Sequence, residues 1–98
     1  MVKVAGTIDA ATAPGFADEL RRVITTKAPT VVVDVRRVRE LDAAGVRALS
    51  AAEALARERD GWLRVAGGQP WLRELLAPHA IATYGELKHA LPSYRPAP

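Results

Sequence analysis

The stretch "TVVVDV", residues 30–35, constrains this chain more than any other. Three consecutive valines stand between Pro29 and a run of charges. A strand with one wet face would alternate apolar and polar residues. An unbroken apolar run suits a strand buried on both faces, as in a parallel sheet.

The flanks support that reading. "VKVAGTID" carries β-branched residues at Val2, Val4 and Ile8, with a break at Gly6, and predicts a first strand ending near Asp9. In "AATAPGFADELRRVITTKAP", Phe16, Leu20, Val23, Ile24 and Lys27 fall at helical spacing. Thr12 suits the N-cap, Pro14 the first turn, and Pro29 the stop. After the valine strand, positions 48, 49, 52, 55 and 56 form an alanine and leucine stripe on a second helix, over 43–59, closed by Gly61 as C′. "WLRVA" predicts a third strand and Gly67-Gly68 a turn. "QPWLRELLAP" predicts a short helix with Leu72, Leu75 and Leu76 facing inward. "AIATY" suits a short edge strand, "GELKHAL" one or two helical turns, and "PSYRPAP" a disordered tail. This alternation predicts an α/β fold with a mostly parallel four-stranded sheet and about four helices. Ninety-eight residues make one domain, here 1–91, with 92–98 as the tail.

Composition narrows the classes. Cysteine is absent, which excludes a disulfide framework and thiolate metal sites. No apolar run approaches the roughly 20 residues that span a bilayer, so no direct membrane insertion is expected. "MVKVAGTIDA" lacks the apolar segment of a signal peptide, and a soluble, cytoplasmic chain is the expectation. The net charge is +3, and the densest cations are Arg36, Arg37 and Arg39. Three nearby arginines would fit a nucleic-acid surface. A solvated turn between strand and helix explains them more simply, and none of the five aromatic residues alternates with them as a stacking platform requires. No nucleic-acid partner is therefore expected.

Catalytic constellations do not assemble. No G-x-x-x-x-G-K phosphate loop occurs. His79 and His89 lie ten residues apart with no acid placed to complete a helical metal pair, so no metal or other cofactor is expected. The two serines, Ser50 in a helix and Ser93 in the tail, sit in no strained nucleophile turn. Asp9, Asp34 and Asp42 follow strands, where α/β proteins place working residues, but capping and turn formation account for each. No catalytic residue is assigned and no enzyme is expected.

Three stretches, holding five motif segments in order, form a recognisable pattern. "VAGTIDAATAP", "VVVDVRRVRELDAAGVRAL" and "RERDGWLRVAGGQPWLRELL" resemble the STAS domain of bacterial anti-sigma factor antagonists. Gly6, Ile8, Asp9, Thr12, Ala13, Pro14, Asp34, Leu41, Asp42, Gly45, Val46, Gly61 and Pro70 carry the resemblance, over about residues 2 to 91. It implies a transcription-regulating signalling module that binds an anti-sigma factor of the serine kinase type, or another signalling protein. In that family the kinase phosphorylates the hydroxyl residue after the aspartate of D-[ST]-[SA]-G, and phosphorylation releases the antagonist. Carried onto this chain, the partner-binding positions are Asp9, Thr12, Asp42, Ala43, Ala44, Gly45, Arg47 and Ser50.

Two departures stand out. The phosphoacceptor position is Ala43, followed by Ala44, and neither can accept a phosphoryl group. Three readings stay open: a constitutive antagonist, a degenerate STAS scaffold or subunit of a transporter or stress-signalling assembly, and an engineered substitution. Ser50, two turns along on a face expected to be open with Arg47, is the alternative phosphosite, set against an ordinary exposed serine. The second departure is the strand that family members usually carry before the segment beginning here at Val2. Without it the first strand is an unprotected edge, which makes a homodimer plausible.

Overall fold

The computed structural model describes residues 1–79 and 81–85. Its elements are β1 (Val2–Ile8), α1 (Ala13–Thr26), β2 (Thr30–Leu41), α2 (Ala43–Glu58), β3 (Trp62–Ala66), α3 (Pro70–Leu76), a 3₁₀ turn (Ala77–His79) and β4 (Ala82–Tyr84). The sheet order is β1-β2-β3-β4, and every pair is parallel. "GELKHAL", the tail and His89 lie outside the described residues.

Sequential parallel strands joined by right-handed crossovers place their helices on one face. The core agrees. Val31, Val33 and Val35 of β2 and Leu63 and Val65 of β3 pack with Leu20 and Ile24 of α1, Leu49 and Ala56 of α2, and Leu72 and Leu76 of α3. The expected stripes of α1 and α2 face inward, with Phe16, Val23 and Leu55 at the partly buried margin. Each fully buried leucine contributes roughly 1.5–3 kcal/mol.

The valine strand is buried on both faces, but not by helices on both. Val32 and Ala66 form a separate small cluster with Trp62 and Tyr84, and no helix among the described residues joins it. Arg64 covers part of this second face, its guanidinium carbon 3.8 Å from the Trp62 ring centroid and 5.9 Å from that of Tyr84.

Four local expectations are corrected. The arginines of 36–39 do not lie in a turn: β2 continues through them to Leu41. Thr12 occupies the N-cap of α1, but its hydroxyl makes no capping bond. Gly61 is not the left-handed residue after α2; Asp60 is, at φ 61°. Asparagine and aspartate tolerate that region better than other side chains. Leu75 does not face inward but stands 38% exposed, because α3 packs on the core through Leu72 and Leu76 alone.

Candidate functional site

The loops after β1 and β2 emerge side by side at the carboxyl end of the sheet, where open α/β folds place their ligands. Ile8 is the register partner of Leu41, and the Asp42 N–H donates to the Ile8 carbonyl at 3.1 Å. Asp42 is extended and caps α2: its carboxylate accepts from the N–H of Ala44 at 2.9 Å and of Gly45 at 3.2 Å. Ala43 is thus the first residue of α2, and it is exposed.

Gly45 sets how closely α2 sits on the sheet. A Cβ there would lie 2.3 Å from Leu41 Cδ1 and 2.9 Å from Ile8 Cγ2. A side chain would force Leu41 and Ile8 to shift and would crowd the Ile8 carbonyl oxygen at 3.2 Å, so the glycine lets the helix start rest on the ends of both strands.

Asp9 and Thr12 organise the neighbouring loop. The Asp9 carboxylate accepts from the N–H of Ala11 at 2.9 Å and of Thr12 at 3.2 Å. The Thr12 hydroxyl accepts from the Asp9 N–H and donates to the Thr7 carbonyl, both at 2.9 Å. This is an Asx turn locked by a threonine. The Thr12 hydroxyl is committed to the Asp9 N–H, the Thr7 carbonyl and the Asp9 carboxylate.

Two shallow hollows flank Arg47. One, of about 390 Å³, is lined by Ala10, Ala13, Pro14, Ala17 and Ala44. The other, of about 260 Å³, is lined by Leu41, Ala43, Val46, Leu75 and His79. Small side chains on α1 and α2 make the first. The second opens because α3 turns Leu75 outward. Leu75 and His79 are site-lining residues that the sequence reading missed. The helical wheel alone cannot find them, since Leu75 lies only 100° from Leu76 on a helix of seven residues.

Ser50 departs from its expected place. It is half-buried, and its hydroxyl oxygen is buried with no hydrogen-bond partner. The open face with Arg47 does not include that hydroxyl. Asp34 also stands apart from this site. It is 5% exposed, and the Arg36 guanidinium grips it through Nε at 3.0 Å and Nη2 at 2.7 Å. That hydrogen-bonded cation holds the carboxyl below the usual aspartate range, against the opposing effect of burial. Among the described residues, no group of three or more histidine, cysteine or acidic side chains could hold a metal ion, and no helix is long and apolar enough to cross a membrane.

The candidate site is thus an aspartate-capped helix start seated on two strand ends, with the Asp9–Thr12 turn beside it. The fold is shared with three solved structures. The anti-sigma factor antagonist SpoIIAA in its unphosphorylated form superposes with a TM-score of 0.70 at 12% identity, over 83% of this chain and 74% of that one. A protein assigned as an anti-sigma factor antagonist from Thermotoga maritima gives 0.73 at 10% identity, over 90% and 77%. A sulfate transporter family protein from Wolinella succinogenes gives 0.67 at 23% identity, over 92% and 80%. No curated protein sequence matches. The family model described as "Mlab, STAS domain" matches residues 1–83, and the chain belongs to that STAS family.

Proposed function

We propose that this chain is a regulatory module of the bacterial cytoplasm that binds a kinase-type anti-sigma factor through residues 42–50, with the loop at Asp9 and Thr12 beside it. In this reading phosphorylation at position 43 does not control binding. What supports it is the start of α2, a capped and exposed helix end at Ala43, the position that the resemblance matches to the family's regulatory hydroxyl. A phosphate there would bring a charge near −2 against a surface fitted to a small neutral side chain. An alanine keeps the surface neutral whatever a kinase does.

Co-expression with the anti-sigma factors of the same genome tests the proposal. A kinase-type partner should be retained, and Ala43→Asp should weaken that complex at least about tenfold. The variant should still fold, because an acid in the first turn of a helix is favourable. If no kinase-type protein is retained and Ala43→Asp alters no partner's binding, the reading fails. Ala43→Ser adds a second arm: phosphorylation of the serine variant would mean that the site kept its geometry and lost only its acceptor.

A second reading, a subunit or scaffold of a transporter complex, draws on the Wolinella neighbour, which has the highest identity of the three. It expects retention of a transport protein in the same experiment.

A further inference from the structure

The start of α2 leaves the cationic end of β2 without a role. A hollow of about 540 Å³ lies there, lined by Gly6, Arg36, Arg37, Arg39, Gln69 and Trp71. A smaller one of about 160 Å³ adjoins it, shares Arg36 and Arg37, and adds Lys3 and Asp34. The larger hollow has no lining residue in common with either hollow at the start of α2.

Two irregularities in the strand build this groove. Between Lys3 and Ala5, two steps on β1 answer three on β2, from Asp34 to Arg37; between Gly6 and Thr7, one step answers two, from Val38 to Glu40. Each irregularity turns two consecutive side chains outward, so Arg36 and Arg37, then Arg39 and Glu40, are exposed on either side of buried Val38. Bulges are a means of re-aiming side chains, and they gather beside functional sites. Arg36 is neutralised by Asp34, whose charge Lys3 also feels, but among the described residues Arg37 and Arg39 form no ion pair. Trp71 is 37% exposed, and its indole N–H is held by the Gln69 side chain at 3.2 Å.

We infer that this groove docks an acidic, extended segment of a partner protein. Arg37 and Arg39 follow one another along β2, an array that an extended segment can meet residue by residue, and inorganic phosphate is an arm of the test. Arg37 and Arg39 are two residues apart, about 7 Å along the chain, which is the spacing of same-face side chains in an extended peptide. Carboxylates at alternate positions of such a peptide match that spacing, and Trp71 offers a flat apolar contact for a neighbouring residue. A nucleic acid fits less well. Two unpaired arginines fall short of the six to ten phosphate contacts of a strong DNA binder, and exposed Glu40 stands beside Arg39. Trp71 alone makes no stacking ladder.

The test is fluorescence anisotropy of a labelled oligoglutamate peptide carrying one leucine, titrated with the full chain at low and near-physiological salt. The peptide should bind, more weakly as salt rises. Arg37→Glu with Arg39→Glu should weaken binding at least about tenfold, and Arg37→Gln with Arg39→Gln should do so less. Arg21→Glu, on α1 and lining neither hollow of the groove, and Ala43→Asp should each leave it unchanged. The inference is overturned if the peptide does not bind, if Arg21→Glu weakens it equally, or if duplex DNA or inorganic phosphate displaces the peptide at lower concentration than unlabelled peptide. Because Ala43→Asp reads only the α2 surface, failure here and failure of the anti-sigma reading are separable.

Discussion

Residues 30–35 and 36–41 form one strand but follow different rules. From Thr30 to Asp34, β2 keeps a one-to-one register with β3, and Val31 through Val35 are all buried. Beyond Val35 its described strand partner is β1 alone, with a register that shifts twice. The first half makes core. The second half makes surface, with Val38 and Leu41 as its only buried residues. Regular pairing between two covered faces leaves no room for an extra residue. Pairing with an edge strand does, and Gly6, at φ 80°, lies in that strand where the second shift occurs. Fold and recognition surface are thereby divided along one strand.

The contrast can be broken or sharpened by substitution. Val33→Ala, at a fully buried position, should cost about 2–3 kcal/mol, read as a lowered urea midpoint at unchanged slope. Gly67→Ala should cost about 1–3 kcal/mol. Gly67 has φ 78°, and a Cβ there would lie 2.1 Å from Arg36 Cγ, so the turn after β3 and the Arg36 stem share that space. Should Gly67→Ala prove neutral, Arg36 is not seated as described.

Arg36→Ala should lower stability at neutral pH by less than Val33→Ala, because the arginine is exposed and solvent screens its pairing. Its pH dependence is more specific. Asp34 has a lowered pKa in the fold because Arg36 hydrogen-bonds its charged form. Its contribution to stability is therefore present above the unfolded value, about 3.9, and is lost as pH falls through the lower folded one. Thermal melts between pH 7 and pH 2 should show this acid limb in the native chain and a flatter one in Arg36→Ala. The smallest effect is expected for Arg39→Ala, within about 0.5 kcal/mol, since its side chain is exposed and unpaired among the described residues. If Arg39→Ala destabilised the chain as much as Val33→Ala, the two halves would not differ as argued.

Most of the fold is legible in the residues. The valine run, the two amphipathic stripes and the glycine and proline stops place the elements close to their observed bounds, except that β2 runs six residues past the expected end, because period and punctuation are local properties. The α2 start is legible in part: capping is the expected account of Asp42 and it caps, whereas the close approach at Gly45 shows only in the packing. The misses share one cause. Arg36 to Glu40 read as a turn because their polarity follows no period of two, and a bulge is defined by the partner strand, not by the strand itself. Ser50 read as open because the wheel of α2 shows one core stripe, whereas burial of its hydroxyl depends on surroundings outside the helix. Leu75 read as inward because nothing local says how far α3 extends over the sheet.

Local chemistry therefore settles the order of the elements, the identity of the core and the absence of a hydroxyl at position 43. Those depend on neighbours within a few residues. The register of β1 against β2, the cationic groove that this register opens, and the hollow between Ala43 and Leu75 depend on segments distant in sequence. Side chains there are aimed by pairing and packing, whose free energies exist only once the chain has closed on itself.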